Sequence, residues 1–295
     1  MSVVLEKFEG NPILKPILEH FWESKRVFNC ASFCDEGRVY LVYRAMGEDN
    51  ISRLGYASSP DGFKISERLP EPIFSPEEEF ESSGCEDPRV TRVGREYYMF
   101  YTAFDGHTAQ IGQTAIKVDD FLARRWKWGK RIYPFPRVNN KDVVLFPEKI
   151  RGKWAIYHRI PPHVWVAYSD DLVHWEDSNI VIMPRGTGWE GVKVGAGAPP
   201  IKTPRGWIFI YHAMDEAKVY RLGLALISLD DPEEIIYRSK EPILVPDREY
   251  ERKGDVPNVV FTCGAFVKDE RLFVHYGGAD TVICVATQRL NKLLP

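Results

Sequence analysis

Short stretches in which apolar and aromatic residues alternate with polar ones run the length of the chain, and none carries the apolar stripe of a long helix. One stretch recurs five times: VYLVYRA, YYMFYTA, WAIYHRI, WIFIYHA and LFVHYGG. Its landmark tyrosines are Tyr43, Tyr101, Tyr157, Tyr211 and Tyr276, separated by 58, 56, 54 and 65 residues. Internal repetition at such a period marks a solenoid, an array or a propeller. A second family, NPILKP, EPIFSP, RIYPFP, NIVIMP and EPILVP, is extended, apolar and closed by proline. Proline is confined to strand ends and edges, so these segments are expected at outer edges or at crossings between repeats. A third family (YASSPDGFKI, TAIKVDDFLARRW, AYSDDLVHWE, ALISLDDPEEI and a shortened CVATQRL) reads as a strand entering an Asp-rich turn.

Three families in the same order use nearly all of the 295 residues. The pattern predicts an all-β chain: a single five-bladed β-propeller over residues 1–295, with a central-channel active site where the inner strands end. The N-terminal segment is expected to supply a strand missing from the last blade and so to close the ring.

Charge narrows the partners. With 39 basic and 42 acidic residues and no run of one sign, the footprint of a nucleic-acid binder is absent. No apolar run is long enough to span a bilayer. The start, MSVVLEKFEGNPIL, lacks the basic region and apolar core of a secretory signal. Cys30, Cys34, Cys85, Cys263 and Cys284 are odd in number and without zinc-type spacing. They suit reduced thiols of a cytoplasmic protein and no metal site.

The most distinctive local sequence is ESSGCEDPRVTRVG, where Glu86, Asp87 and Arg89 surround a stiffening proline. Alone, such a cluster is most often a loop ion pair. Its weight comes from Arg44, His158, Arg159 and His212, which follow the repeat tyrosines, because inner-strand ends of different blades converge. Two further segments add Lys141 with Asp142, and Lys193 in a glycine-rich loop. Lys141, Arg159, Lys193 and His212 form a cationic set suited to phosphate or another small oxyanion. Asn29, Arg44 and Asp280 sit where they could grip a polyhydroxylated substrate.

The series NPIL, VFNCASF, VYLVYRA, GCEDPRVT, KDVVLFPEKI, YHR, GWEGVKVGAGAPPIKT, IYHA, DVPNVVFTCG and YGGAD, from Asn11 to Asp280, resembles glycoside hydrolase family 130. The resemblance implies an inverting β-mannoside phosphorylase on a five-bladed propeller, in the branch acting on β-1,4-mannooligosaccharides and releasing α-mannose 1-phosphate. It implies Asp87 as the single catalytic acid, its proton relayed through a hydroxyl of the mannosyl unit being cleaved. Asn29, Arg44 and Asp280 would hold that unit; Lys141, Arg159, Lys193 and His212 would hold phosphate, joined by Tyr220. Phosphate is then a co-substrate, no cofactor is needed, and a homo-oligomer is expected. Two positions depart from the family. Lys141 stands where some members have arginine, which keeps charge but loses the bidentate fork. Cys30 stands where a small residue or proline is usual.

The cationic set favours phosphorolysis, because an inverting hydrolase instead needs a second carboxylate about 6.5–9.5 Å from the acid to activate water. Two alternatives stand beside it. One is an inverting β-mannosidase using Glu86 or Glu190 as that second carboxylate. The other is a non-catalytic propeller that binds sugars or proteins.

Overall fold

The chain forms an all-β structure of five successive antiparallel meanders, described over residues 4–293 by a computed structural model. The strand β1 (Glu6–Lys7) stands apart in sequence from the sheet it joins. The first meander is β2 (Arg26–Asp35), β3 (Arg38–Met46), β4 (Ser52–Ser59) and β5 (Glu67–Arg68); the second is β6 (Gly84–Val93), β7 (Glu96–Phe104) and β8 (Ala109–Lys117). The third is β9 (Lys141–Leu145), β10 (Trp154–Ile160), β11 (His163–Ser169) and β12 (Glu176–Ile182). In the fourth, β13 (Lys193–Ala196) and β14 (Ile201–Thr203) both pair with β15 (Gly206–Met214), which is followed by β16 (Tyr220–Ile227) and β17 (Ile235–Arg238). The fifth is β18 (Val260–Lys268), β19 (Arg271–Gly278) and β20 (Val282–Arg289), and β1 completes it by pairing antiparallel with β20. The N-terminal segment thus finishes the last sheet, as the repeat count required.

The proline-closed segments run as crossings. Leu14, Phe74, Ile132 and Leu244 each make one antiparallel bridge to the third strand of a meander, while Ile182 pairs from β12. Neighbouring meanders pack face to face through aromatic contacts such as Tyr157 against Phe209 (4.9 Å between ring centres) and Phe146 against Trp207 (5.4 Å). Edge-on geometry of this kind adds to the stabilisation from simple burial.

The recurring tyrosines occupy the second strand of every meander and are all buried. In four meanders the hydroxyl donates to a buried glutamate on the short helical turn just before the first strand: Tyr43 to Glu23, Tyr101 to Glu81, Tyr211 to Glu190 and Tyr276 to Glu251. A cation from the outermost segment of the same meander completes each set: Arg68, Arg131, Arg238 and Lys7 respectively. In the third meander Tyr157 donates instead to the carbonyl of Pro232. The repeat therefore marks a buried pin that ties the turn entering each sheet to its outer edge. Such a carboxylate is stable only because it is paired and hydrogen-bonded.

Candidate active site

The inner strands β2, β6, β9 and β13 lie against one another in sequence order, and β18 touches both β2 and the fourth meander. Each of the first three is broken by a bulge. Register shifts between Phe28 and Cys30 on β2, and between Glu86 and Arg89 on β6. On β9 the pairs Tyr157–Val144 and Arg159–Lys141 leave one residue over. The residues at these breaks are left-handed: Asn29 at φ 46°, Asp87 at φ 48° and Asp142 at φ 59°, matched by Asp280 at φ 50° in the turn after β19. Asn and Asp tolerate this conformation better than other non-glycine residues, and a bulge re-aims the side chain it carries. Four short polar side chains are thereby delivered to one place.

That place is a cavity of about 200 Å³ lined by Asn29, Arg44, Asp87, Lys141, Asp142, Arg159, Lys193, Tyr220 and Asp280, with Val256, Val259 and Phe261. Eight of the nine residues singled out in the sequence line it. His212 does not. It is fully buried behind the wall, with Nε2 3.3 Å from Asp142 Oδ2 and its ring 4.3 Å from that of Phe261. His158 points away from the cavity altogether, sharing hydrogen bonds with Asn140 and stacking on Phe135. Glu190 is excluded from the cavity, because it is committed to Tyr211 and Arg238. The offset follows from strand alternation: adjacent residues on one strand face opposite sides of the sheet.

Within the cavity Asp87 Oδ1 accepts hydrogen bonds from Asn29 Nδ2 at 2.9 Å and Arg44 Nη1 at 3.1 Å. The Arg44 guanidinium is fixed by Glu86 (2.6 Å) and Ser52 (2.9 Å) and lies 4.5 Å above the Phe28 ring. Gly277 makes room for this arrangement, since a Cβ there would fall 2.4 Å from Asn29 Oδ1. Burial works to raise the Asp87 carboxyl, but Arg44, Lys141, Arg89 and the Asn29 amide outweigh it and hold it below the usual range. Asp280 behaves oppositely. Burial pushes it up to about 7, against the pull of Arg44 and with the charge of Asp87 adding to the rise.

Lys141, Arg159, Lys193 and Tyr220 also line the cavity. Lys193 Nζ sits 5.0 Å over the Tyr220 ring, and burial, helped by the like charge of Arg159, brings it down to about 8. Lys141 Nζ is 3.8 Å from Glu86 and Arg159 Nη1 is 2.8 Å from Asp142. Asp142 and Arg89 are the members of the cluster whose contribution the sequence did not reveal. Arg89 is almost fully buried, reaches across to the carbonyls of Ala196 and Gly197, and meets Asp142 Oδ1 at 3.2 Å. Their signal was adjacency to Lys141 and Asp87, with nothing in the pattern to say that they meet. The cavity thus gathers a carboxyl, sugar-type ligands and a group of cations fit for an oxyanion.

Comparison with known proteins identifies the family. A family profile, glycoside hydrolase 130, described as beta-1,4-mannooligosaccharide phosphorylase, matches residues 5–295. A 1,2-beta-oligomannan phosphorylase of Thermoanaerobacter sp. (strain X514) is 44% identical over 99% of both chains. A beta-1,4-mannooligosaccharide phosphorylase of Ruminococcus albus is 28% identical over 99% of this chain and 90% of its own. The solved structure of a beta-1,2-mannobiose phosphorylase from Listeria innocua, in complex with beta-1,2-mannobiose, superposes with a TM-score of 0.86 over 98% of both chains at 26% identity.

Proposed function

The chain belongs to glycoside hydrolase family 130 and is a mannoside phosphorylase, and from that premise we propose that it cleaves β-1,2-linked mannooligosaccharides with inorganic phosphate, releasing α-mannose 1-phosphate. The β-1,2 linkage replaces the β-1,4 linkage expected from the sequence. It is supported by the much higher identity to the relative named for β-1,2 oligomannan than to the one named for β-1,4 substrates. We also read the five meanders as the blades of one propeller around a central channel, supported by the inner-strand contacts that run from β18 through β2, β6 and β9 to β13, and by the packing of β18 on β15 and β16. Four of the five free cysteines are buried, which suits a reducing, cytoplasmic setting.

The observation that carries the reaction is the gathering of Asp87 with Lys141, Arg159 and Lys193 around one small cavity. Asn29, Arg44 and Asp280 hold the mannosyl unit at the chain end. The cations hold phosphate below it, so an anionic oxygen attacks the anomeric carbon from the face opposite the leaving oxygen. No second carboxylate is needed to make the nucleophile, and fixed positive charge lowers the cost of bringing an anion to the bond. Asp87 supplies the proton for the departing sugar through a hydroxyl of the mannosyl unit. Phosphate settling among Lys141, Arg159 and Lys193 offsets the field that holds Asp87 ionised, and so lets it take up the proton it must deliver.

One observation favours a second reading. Asp280, raised to about 7, has the basicity of a group that could activate water in a hydrolase. A single assay separates the two. β-1,2- and β-1,4-mannobiose are incubated with and without phosphate, and products are followed by phosphorus and anomeric-proton resonance. Phosphate-dependent α-mannose 1-phosphate from the β-1,2 substrate is expected. Equal cleavage in phosphate-free buffer would establish the hydrolase, and faster turnover of β-1,4-mannobiose would overturn the linkage.

A further inference from the structure

Asp142 is an unusual carboxylate. It is 1% exposed and left-handed at the β9 bulge, and it faces three potential cations. Its Oδ1 meets Arg89 Nη2 at 3.2 Å, and its Oδ2 meets Arg159 Nη1 at 2.8 Å and His212 Nε2 at 3.3 Å. Arg89, Arg159 and His212 come from three different meanders, so one side chain gathers β6, β10 and β15. Arg159 depends on it. Among the described residues Asp142 is its one carboxylate partner, and its buried Nε has no hydrogen-bond acceptor. The sequence also keeps space for the contact: a Cβ on Gly195 would lie 2.4 Å from His212 Nε2 and 2.5 Å from Asp142 Oδ2.

We propose that Asp142 is the positioning residue of the phosphate site: it pins Nη1 of Arg159 and the ring of His212 so that the remaining edge of the guanidinium is presented to the incoming oxyanion. This rests on the phosphorolytic reading above. Asp142 makes no bond to phosphate or sugar in this scheme. Its carboxylate is the right group because both oxygens are used at once, Oδ1 by Arg89 and Oδ2 by Arg159. An amide cannot repeat that. In Asp142→Asn the one remaining acceptor stays with Arg89, whose buried charge has the greater need of it, and the NH₂ group faces Arg159 donor to donor. Arg159 then turns from the phosphate position while the sugar ligands Asn29, Arg44 and Asp280, on other strands, keep theirs.

The test compares wild type, Asp142→Asn and Gly195→Ala in steady-state phosphorolysis of β-1,2-mannobiose, varying phosphate and sugar separately, with circular dichroism confirming the fold. Both variants are expected to raise KM for phosphate about tenfold or more, through the loss of the ion pair that holds Arg159, and to leave KM for mannobiose near wild type. Gly195→Ala is the decisive variant, because it displaces Asp142 without changing any charge. Folded variants with an unchanged phosphate KM, or with both KM values raised together, overturn the proposal. Failure of both variants to fold overturns it too, by assigning Asp142 a role in folding alone. A wild-type enzyme that ignores phosphate would instead defeat the functional reading, which is a separate outcome.

Discussion

Arg44 and Asp87 form an ion pair, with Nη1 of the arginine 3.1 Å from Oδ1 of the aspartate. The group that must give up a proton is therefore held in its ionised state until substrates arrive. Asp87→Asn keeps the volume, the left-handed preference and most of the hydrogen bonding, and removes only the titrating proton. We expect kcat to fall about 10²–10⁴-fold while phosphate still raises the melting temperature of the variant as it does in wild type. A loss of activity smaller than tenfold would remove Asp87 from the acid role.

Lys193 makes the phosphate side sensitive to alkali. Its ammonium is brought down to about 8, so the positive charge that receives phosphate is present below that pH and is lost as pH rises through it. The expected result is a fall in kcat/KM for phosphate with a midpoint near 8, and a much smaller effect on kcat, since bound phosphate holds the proton on the lysine. Lys193→Arg should move the falling limb beyond the measurable range. A limb that stays in place in that variant would assign it to another group.

Asp280 sets a second limb on the sugar side. With its carboxyl raised to about 7, it is a hydrogen-bond donor at lower pH and an acceptor only at higher pH. If the protonated form grips a mannosyl hydroxyl, kcat/KM for mannobiose declines as pH rises through about 7. Asp280→Asn, a permanent donor, should flatten that decline. Persistence of the limb in Asp280→Asn would show that Asp280 is already ionised in the working enzyme.

Glu190 tests the separation of structure from chemistry. It is 1% exposed and bound to Tyr211 and Arg238, so Glu190→Gln leaves Arg238 without its carboxylate and should cost about 3 kcal/mol of stability. Thermal unfolding should show that loss, while turnover per folded molecule at low temperature stays near wild type. A collapse of turnover in a fully folded variant would return Glu190 to the list of reacting groups.

Much of the architecture was legible because the tyrosine strand repeats with its context. A buried aromatic strand needs a sheet, and the five copies each sit in a meander of their own. The cavity was legible for the same reason: residues directly beside those strands, such as Arg44 and Arg159, must share an end of the fold. The role of the glutamates that receive the tyrosine hydroxyls was not read, because Glu23, Glu81, Glu190 and Glu251 lie in helical turns of three or four residues, too short for any periodicity. Burial made Glu190 structural although its residue type suggested a base. His212 lies behind the wall, where it contacts both Asp142, a residue given no role in the sequence, and Nη1 of Arg159. Linkage preference left no local mark at all. The residues that grip the cleaved unit do not report where the next sugar is attached.

The left-handed backbone at Asn29, Asp87, Asp142 and Asp280 also has a genetic consequence. Only asparagine, aspartate and glycine occupy such positions at small cost, and the codons for asparagine and aspartate differ by one base. A single nucleotide change can therefore add or delete a negative charge at any of these four points without rebuilding the loop that carries it. Enzymes on this scaffold can explore acid, neutral ligand and anchor at the same coordinates by point mutation alone, which makes the charge pattern of the cavity far more evolvable than its shape.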